Sequence, residues 1–310
     1  MKLNKPKFWD TKLSLFTILL IPFSLIVILI IYLKRKFTRT IKFNIPIICV
    51  GNIYIGGTGK TPASIFIANE LSKLGKNPVI LRKFYKKHVD EHNLIKKNFK
   101  NLILKKSRVL GIKESVEMNY DTVILDDGFQ EYKIKKNLNI ICFNQKQLIG
   151  NGLILPSGPL REGLNSLKHA NIILINGIKD KTFENKILDI NKNLKIFYTN
   201  YRPINIEKFK NKGFIALAGI GNPNNFFDLL AEHKINIIKK LIYPDHYKFT
   251  KKEISKIVDD ANKKNAGVII TEKDYYKIKE FNLNNIEYLK VILKIENNEK
   301  FIQLISKIYD

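Results

Sequence analysis

Residues Leu13 to Leu33, LSLFTILLIPFSLIVILIIYL, run for 21 positions without a charge. At 1.5 Å per residue, a helix of that length covers about 30 Å, the hydrocarbon thickness of a bilayer, so the segment reads as a membrane helix. Lys2, Lys5, Lys7 and Lys12 precede it and Lys34, Arg35, Lys36, Arg39 and Lys42 follow it, which leaves the positive-inside rule no strong asymmetry. Basic flanks also suit a helix that enters one leaflet and holds anionic headgroups, with Pro22 placed to bend it. Spanning and one-leaflet insertion both stay open. A cleaved signal peptide fits less well, because its apolar region is about 7–15 residues and ends at small residues, whereas this one ends in IIYLKRKF.

Beyond the apolar segment the chain is long enough for a large core: 310 residues, 45% of them hydrophobic, exclude a disordered chain. Lys and Arg number 54 against 28 Asp and Glu, a formal charge of +26 that suits nucleic acid, an anionic membrane or a phosphorylated substrate without choosing among them. Lys, Asn and Ile are abundant throughout, so part of this charge is general composition. Cys49 and Cys142 lie in apolar runs without metal-ligand spacing and read as buried, reduced thiols.

After the basic linker Lys34 to Lys42, short β-branched runs alternate with helical spacing, the pattern of an α/β protein with a largely parallel sheet. The predicted strands are Pro46 to Val50, Pro78 to Leu81, Asn101 to Leu104, Thr122 to Leu125, Leu138 to Phe143 and Asn171 to Ile175, with a helix over Thr61 to Leu74. The polar stretch Lys83 to Lys100 reads as an extended loop, and Tyr198 to Pro203 as a linker. A second series follows, with strands at Phe214 to Ala218 and Gly267 to Thr271 and helices over Asn224 to His233 and from Thr250, whose Glu253 completes a capping box. The expected division is an anchor and basic linker over residues 1–40, a first domain over 41–202 and a second, smaller α/β domain over 203–310. The final helix, Glu299 to Ile308, is left to pack on either.

Two motifs carry chemistry. GGTGKT, from Gly56 through Gly57, Thr58, Gly59 and Lys60 to Thr61, sits between the strand PIICV and a helix. Glycines there let backbone amides close on phosphate oxygens, the helix N-terminus adds partial positive charge, Lys60 can reach terminal phosphates and Thr61 can hold magnesium. Tyr54 stands where the usual spacing has a further glycine, so this is a variant P-loop of an NTPase domain. VILDDGFQ, Val123 to Gln130, ends an apolar strand in Asp126 and Asp127, the place where P-loop enzymes organise Mg2+.

Together these specify phosphate chemistry on a nucleoside triphosphate, and the apolar helix suggests an acceptor in the bilayer. The segments VGNIYIGGTGKTP, ILDDGFQ, LPSGPLRE, GIGNPNNFF, PDHYKFT and TEKD, in that order from Val50 to Asp274, resemble the tetraacyldisaccharide 4'-kinase family of Gram-negative bacteria. The resemblance implies transfer of the ATP γ-phosphoryl group to the 4'-hydroxyl of an acylated disaccharide 1-phosphate lipid, at the cytoplasmic face of the inner membrane. It implies two α/β domains with an N-terminal membrane helix, and Asp90 in VDEH acting as base with His246 in PDHY. Arg161 and Glu162 are then candidates to clamp and orient substrate phosphate, and Tyr85 to touch the acceptor. Anionic lipids of the inner membrane are expected partners, and nucleic acid is not.

The chain departs from the family where RKFYKK, Arg82 to Lys87, replaces a glycine-rich SRGYGG, where the flanks of Asp90 lack a Gly and a Pro, and where Glu131 replaces a His. Two rival readings remain: a deviant P-loop ATPase of the partitioning or metallochaperone kind, and a nonenzymatic membrane-bound nucleotide sensor. Ile55 stands where the first would carry Lys, and the first leaves the membrane segment and LPSGPLRE unexplained; for the second, whose basic surface would dock lipids or RNA, no recognised RNA module appears.

Overall fold

The computed structural model describes residues 6–11, 14–86 and 88–310; Lys2, Lys5, Lys12, Leu13 and Lys87 of the sequence reading lie outside them. Helix α1 (Leu15–Phe37) opens on Ser14, whose side chain accepts the amide of Thr17. It is the one described helix long and apolar enough to cross a membrane. Thr17 and Ser24 are buried on one seam, while Leu15, Phe16, Leu19, Phe23 and Leu25 on its other sides are bare.

An eight-stranded sheet follows, built from β1 (Ile47–Gly51), β2 (Pro78–Lys83), β3 (Leu102–Lys105), β4 (Thr122–Asp126), β5 (Leu138–Asn144), β6 (Ile172–Asn176) and β7 (Lys195–Pro203). Its order is β12-β7-β6-β5-β1-β4-β2-β3, where β12 (Val291–Ile295) returns from the far end of the chain. Every pairing is parallel except that of β12 with β7. Each central strand is buried on both faces, as continuous Ile, Val and Leu runs require. One face is covered by α2 (Lys60–Lys73), α3 (Val89–Asn98) and α9 (Asn298–Ser306), the other by α4 (Arg108–Glu117) and α5 (Lys181–Leu188).

The second sheet has the order β11-β10-β8-β9 and is all parallel. It comprises β8 (Gly213–Ala218), β9 (Ile237–Ile242), β10 (Ala266–Thr271) and β11 (Ile286–Leu289). On one face lies α6 (Pro223–Glu232), and on the other α7 (Lys251–Lys263) with α8 (Glu272–Ile278). The capping box at Thr250 and Glu253 is present.

Two expectations are corrected. Residues Tyr198 to Pro203 are not a linker but the second half of β7, held by β12 from Thr199↔Ile295 to Pro203↔Val291. Lys83 to Lys100 is not an extended loop, for it contains α3, whose buried residues are Asp90, His92 and Ile95. A helix that buries two polar side chains for one apolar one shows little hydrophobic periodicity. The final helix packs on the larger sheet, with Phe301 against Phe66 and Phe197.

Candidate active site

In open parallel sheets ligands bind beyond the carboxyl ends of the strands, and here both sheets turn those ends toward one cleft of ≈ 1010 Å³. From the larger sheet come the loop after β1 and the end of β4. From the smaller come GIGNP after β8, PDHY after β9 and TEKD after β10. Gly221 and Gly57 meet across the cleft: a Cβ on Gly221 would stand 2.7 Å from the Gly57 amide nitrogen, so the approach requires glycine.

The loop after β1 has the local structure a phosphate site needs. Gly56 and Gly59 take φ of 112° and 91°, a region closed to most side chains. Buried Asn52 ties the loop together, its Nδ2 donating to Thr58 Oγ1 at 3.0 Å and to the Gly56 carbonyl at 3.3 Å. Gly59 caps α2, whose first amides lack intrahelical partners and face the cleft with the positive end of the helix dipole.

The two aspartates after β4 part company. Asp126 is fully buried, with Oδ1 accepting from Ser64 at 3.1 Å and Oδ2 from Thr61 at 3.1 Å and from Arg82. It orients the Thr61 hydroxyl and does not line the cleft. Asp127, at φ 57°, does line it and faces Arg161 Nη1 at 2.9 Å and Lys60 Nζ at 3.5 Å. Burial would push its carboxyl up, but Lys60, Arg161, Arg82 and Arg108 together hold it at about 2. The Thr61 hydroxyl and Asp127 carboxylate are oxygen donors beside a phosphate loop, which fits a hard cation such as Mg2+.

Asp90 and His246, 156 residues apart in sequence, are brought together. Asp90 sits in the first turn of α3, 5% exposed, and its carboxylate oxygens lie 3.0 and 3.1 Å from His246 Nδ1. Burial would raise this carboxyl, but the His246 hydrogen bond and the charges of Lys273, His246 and Lys277 outweigh it and hold it at about 2. An ionised carboxylate only accepts, so His246 carries its proton on Nδ1 and donates. Asp245 serves the His246 backbone amide at 3.0 Å.

Several residues of this centre were not singled out in the sequence. Lys273 and Lys277, one turn apart on α8, each place Nζ 3.6 Å from Asp90. Lys273 also reaches Asp245 at 3.0 Å and Glu91 at 3.2 Å. Arg82 bridges Asp126 and Glu91 and so ties the end of β4 to the first turn of α3. Glu91 would be raised by burial, yet Lys273, the His88 hydrogen bond, Arg82 and His246 keep it far below the ordinary carboxylate range. The lysine spacing in TEKDYYK was the available signal; for Arg82 and Glu91 there was only proximity to motif residues. His88, Glu91 and His246 bring ligand atoms within 4.8 Å of one another. The two rings stack at 4.4 Å and 8°, however, so their lone pairs run parallel rather than converge, and Glu91 is already neutralised.

Arg161 reaches the cleft, whereas its neighbour Glu162 turns away from it. Glu162 is 1% exposed and pairs with Arg35 of α1 at 2.7 Å. Tyr85 is 45% exposed, leans on His88 with ring centroids 5.2 Å apart and lies outside the cleft lining. Glu131, in place of the family's His, faces Arg108 at 3.7 Å.

A glycine-rich loop closing on a helix N-terminus, with an ionised carboxylate and its histidine beside the same cleft, is the arrangement of a phosphoryl-transfer enzyme of the P-loop kinase class. The family model for tetraacyldisaccharide-1-P 4'-kinase matches residues 16–310, and the chain belongs to that family. It is 41% identical to the tetraacyldisaccharide 4'-kinase of Pelagibacter ubique over 99% of each chain. It is 34% identical to that of Rickettsia canadensis over 98% of each. A crystal structure of LpxK from Aquifex aeolicus in complex with ATP superposes with a TM-score of 0.73 at 25% identity, covering 95% of this chain and 99% of that one.

Proposed function

We propose that this chain phosphorylates the 4'-hydroxyl of tetraacyldisaccharide 1-phosphate with ATP in lipid A biosynthesis, with Asp90 as general base. The observation that carries the mechanism is the Asp90–His246 pair: His246 lines the same cleft as the phosphate loop, and Asp90 lies directly behind it, 3.0 Å from its Nδ1. Amides of the loop, Lys60 and Arg161 hold the ATP phosphates. Asp90 takes the proton of the 4'-hydroxyl as its oxygen attacks the γ-phosphorus. The bond from that phosphorus to the β-bridging oxygen breaks, and ADP leaves. His246 donates to Asp90 through Nδ1 and fixes its orientation. Thr61 and Asp127 would hold Mg2+, which neutralises charge on the phosphates. Lys273 and Lys277 keep Asp90 ionised in a buried place, at the cost of some basicity.

The lobes divide, in this reading, into a P-loop lobe of residues 41–203 with 291–310 and a smaller lobe of residues 204–290. The bare side of α1 inserts into the inner membrane from the cytoplasm, where ATP is found, and the basic residues after it hold anionic headgroups. Mid-helix Ser24 bonds the irregular loop at Ile154 and Ser157. A helix standing across the bilayer would draw that loop to its centre, where irregular backbone is costly, so insertion into one leaflet is favoured. The ATPase reading leaves the LPSGPLRE loop and α1 without a role.

The test is transfer of labelled γ-phosphate from ATP to tetraacyldisaccharide 1-phosphate in detergent. Wild type should form product. Lys60→Ala should lose ATP binding, and Asp90→Ala should lose about 10²–10⁴-fold in kcat with ATP affinity kept. Normal turnover by Asp90→Ala would move the base elsewhere.

A further inference from the structure

The loop that receives the membrane helix is also the loop that braces the phosphate site. On its outer side Ser24 Oγ, in the middle of α1, lies 2.8 Å from the Ile154 carbonyl and from Ser157 Oγ, and accepts the Ser157 amide at 3.1 Å. The Trp9 indole donates to the Pro156 carbonyl at 3.0 Å, and the Asn151 amide donates to the Trp9 carbonyl at 2.9 Å. At the C-terminal end of α1, Arg35 pairs with buried Glu162 at 2.7 Å and lies over the Tyr132 ring.

On its inner side the same loop is stitched to the strand leading into the glycine run. The Ile55 amide donates to the Pro159 carbonyl at 2.8 Å, the Arg161 amide to the Ile53 carbonyl at 2.7 Å, and Tyr54 bridges Leu160. Arg161 and Glu162 are consecutive, so their side chains leave the backbone on opposite sides. One reaches Asp127 in the cleft and the other Arg35 on the membrane helix. Within residues 153–162 the loop is closed on itself by Leu155 amide to Leu160 carbonyl at 2.9 Å and Leu160 amide to Leu153 carbonyl at 3.1 Å. A load on one side therefore reaches the other through a small, hydrogen-bonded body rather than a slack chain.

We propose that α1 is a structural part of the nucleotide site as well as an anchor: its seating on residues 153–162, through Ser24 and Arg35, positions Arg161 and the phosphate loop for ATP. Ser24, Arg35 and Glu162 are thus positioning residues that act through Arg161. The proposal rests on the reading that Arg161 holds ATP phosphate.

The experiment measures the ATP dissociation constant and the KM for ATP of the full chain in detergent, alongside partition onto lipid vesicles. Ser24→Ala and Arg35→Met both leave α1 at least as apolar as before, so binding to neutral phosphatidylcholine vesicles, which does not depend on the basic flank, should hold. Each should weaken ATP binding about five- to tenfold, since each strands buried partners, and Arg35→Lys should restore most of it. On an Arg161→Ala background Ser24→Ala should add little, a coupling that general loss of stability would not produce. Unchanged ATP affinity in Ser24→Ala and Arg35→Met, or losses that add in full to that of Arg161→Ala, overturns this inference alone. Normal ATP affinity in Arg161→Ala overturns the phosphate role of Arg161 and the inference with it.

Discussion

Asp90 shows how a buried carboxylate is kept ready. Its burial alone would favour the protonated acid, and only the His246 donor and the Lys273 and Lys277 ammonium groups reverse that. With its carboxyl held at about 2, Asp90 is charged at every pH where the protein is expected to work. The sign of the linkage follows. A folded pKa below the unfolded one stabilises the protein above roughly pH 4, and that contribution is lost as pH falls through about 2. Carbon-13 titration of the aspartate carboxyls should accordingly show Asp90 ionised from about pH 4 upward. A signal from Asp90 titrating near pH 6 would contradict the charge balance described. The same residue explains part of what was hard to read. Asp90 and His246 entered through a family resemblance, because a separation of 156 positions along the chain hides their contact. Lys273, Glu91 and Arg82 carry no pattern of their own; their meaning is their distances.

At the scale of elements, parallel strand order does most of the positioning. β8, β9 and β10 run side by side in one direction, so three loops scattered over residues 219–274 emerge at the same edge and meet the phosphate loop. The tightest of these meetings is Gly221 on Gly57. Gly221→Ala should push the two loops apart and weaken ATP binding by roughly tenfold or more, about 1–3 kcal/mol of overpacking. Circular dichroism should stay unchanged, and calorimetric titration with ATP reads the loss; wild-type affinity would mean that the loops do not close on the nucleotide as described. The strands around β1, β4 and β5 were legible because buried parallel strands are continuous apolar runs. α3 was not, because the face it buries carries two polar side chains, Asp90 and His92, beside the single apolar Ile95. β7 was not, because its second half is held by β12, a partner some 90 residues further on.

At the scale of the molecule, the bare side of α1 leads directly into the exposed cations Lys34, Lys36 and Arg39 at its C-terminal end. Vesicle binding should therefore have two separable parts. Replacing these three cations by Gln should weaken binding to anionic vesicles by about 1 kcal/mol per charge and leave binding to neutral vesicles intact. Added salt should imitate the substitution. Equal losses on both kinds of vesicle would assign the effect to α1 itself.

What the sequence determined by itself is local: an uncharged run can satisfy its backbone in lipid only as a helix, and glycines before a Lys-Thr pair at the end of an apolar strand make a phosphate loop. Periodicity and short motifs register such neighbourhoods because their physics is complete within a few residues. Tertiary structure decided what depends on two distant segments meeting. It sent Glu162 to α1 and Arg161 to the cleft, turned Asp126 inward and Asp127 outward, and set Asp90 among cations from the other lobe. Burial and charge pairing are properties of the packed chain, and packing is where consecutive residues with the same motif letters acquire opposite roles.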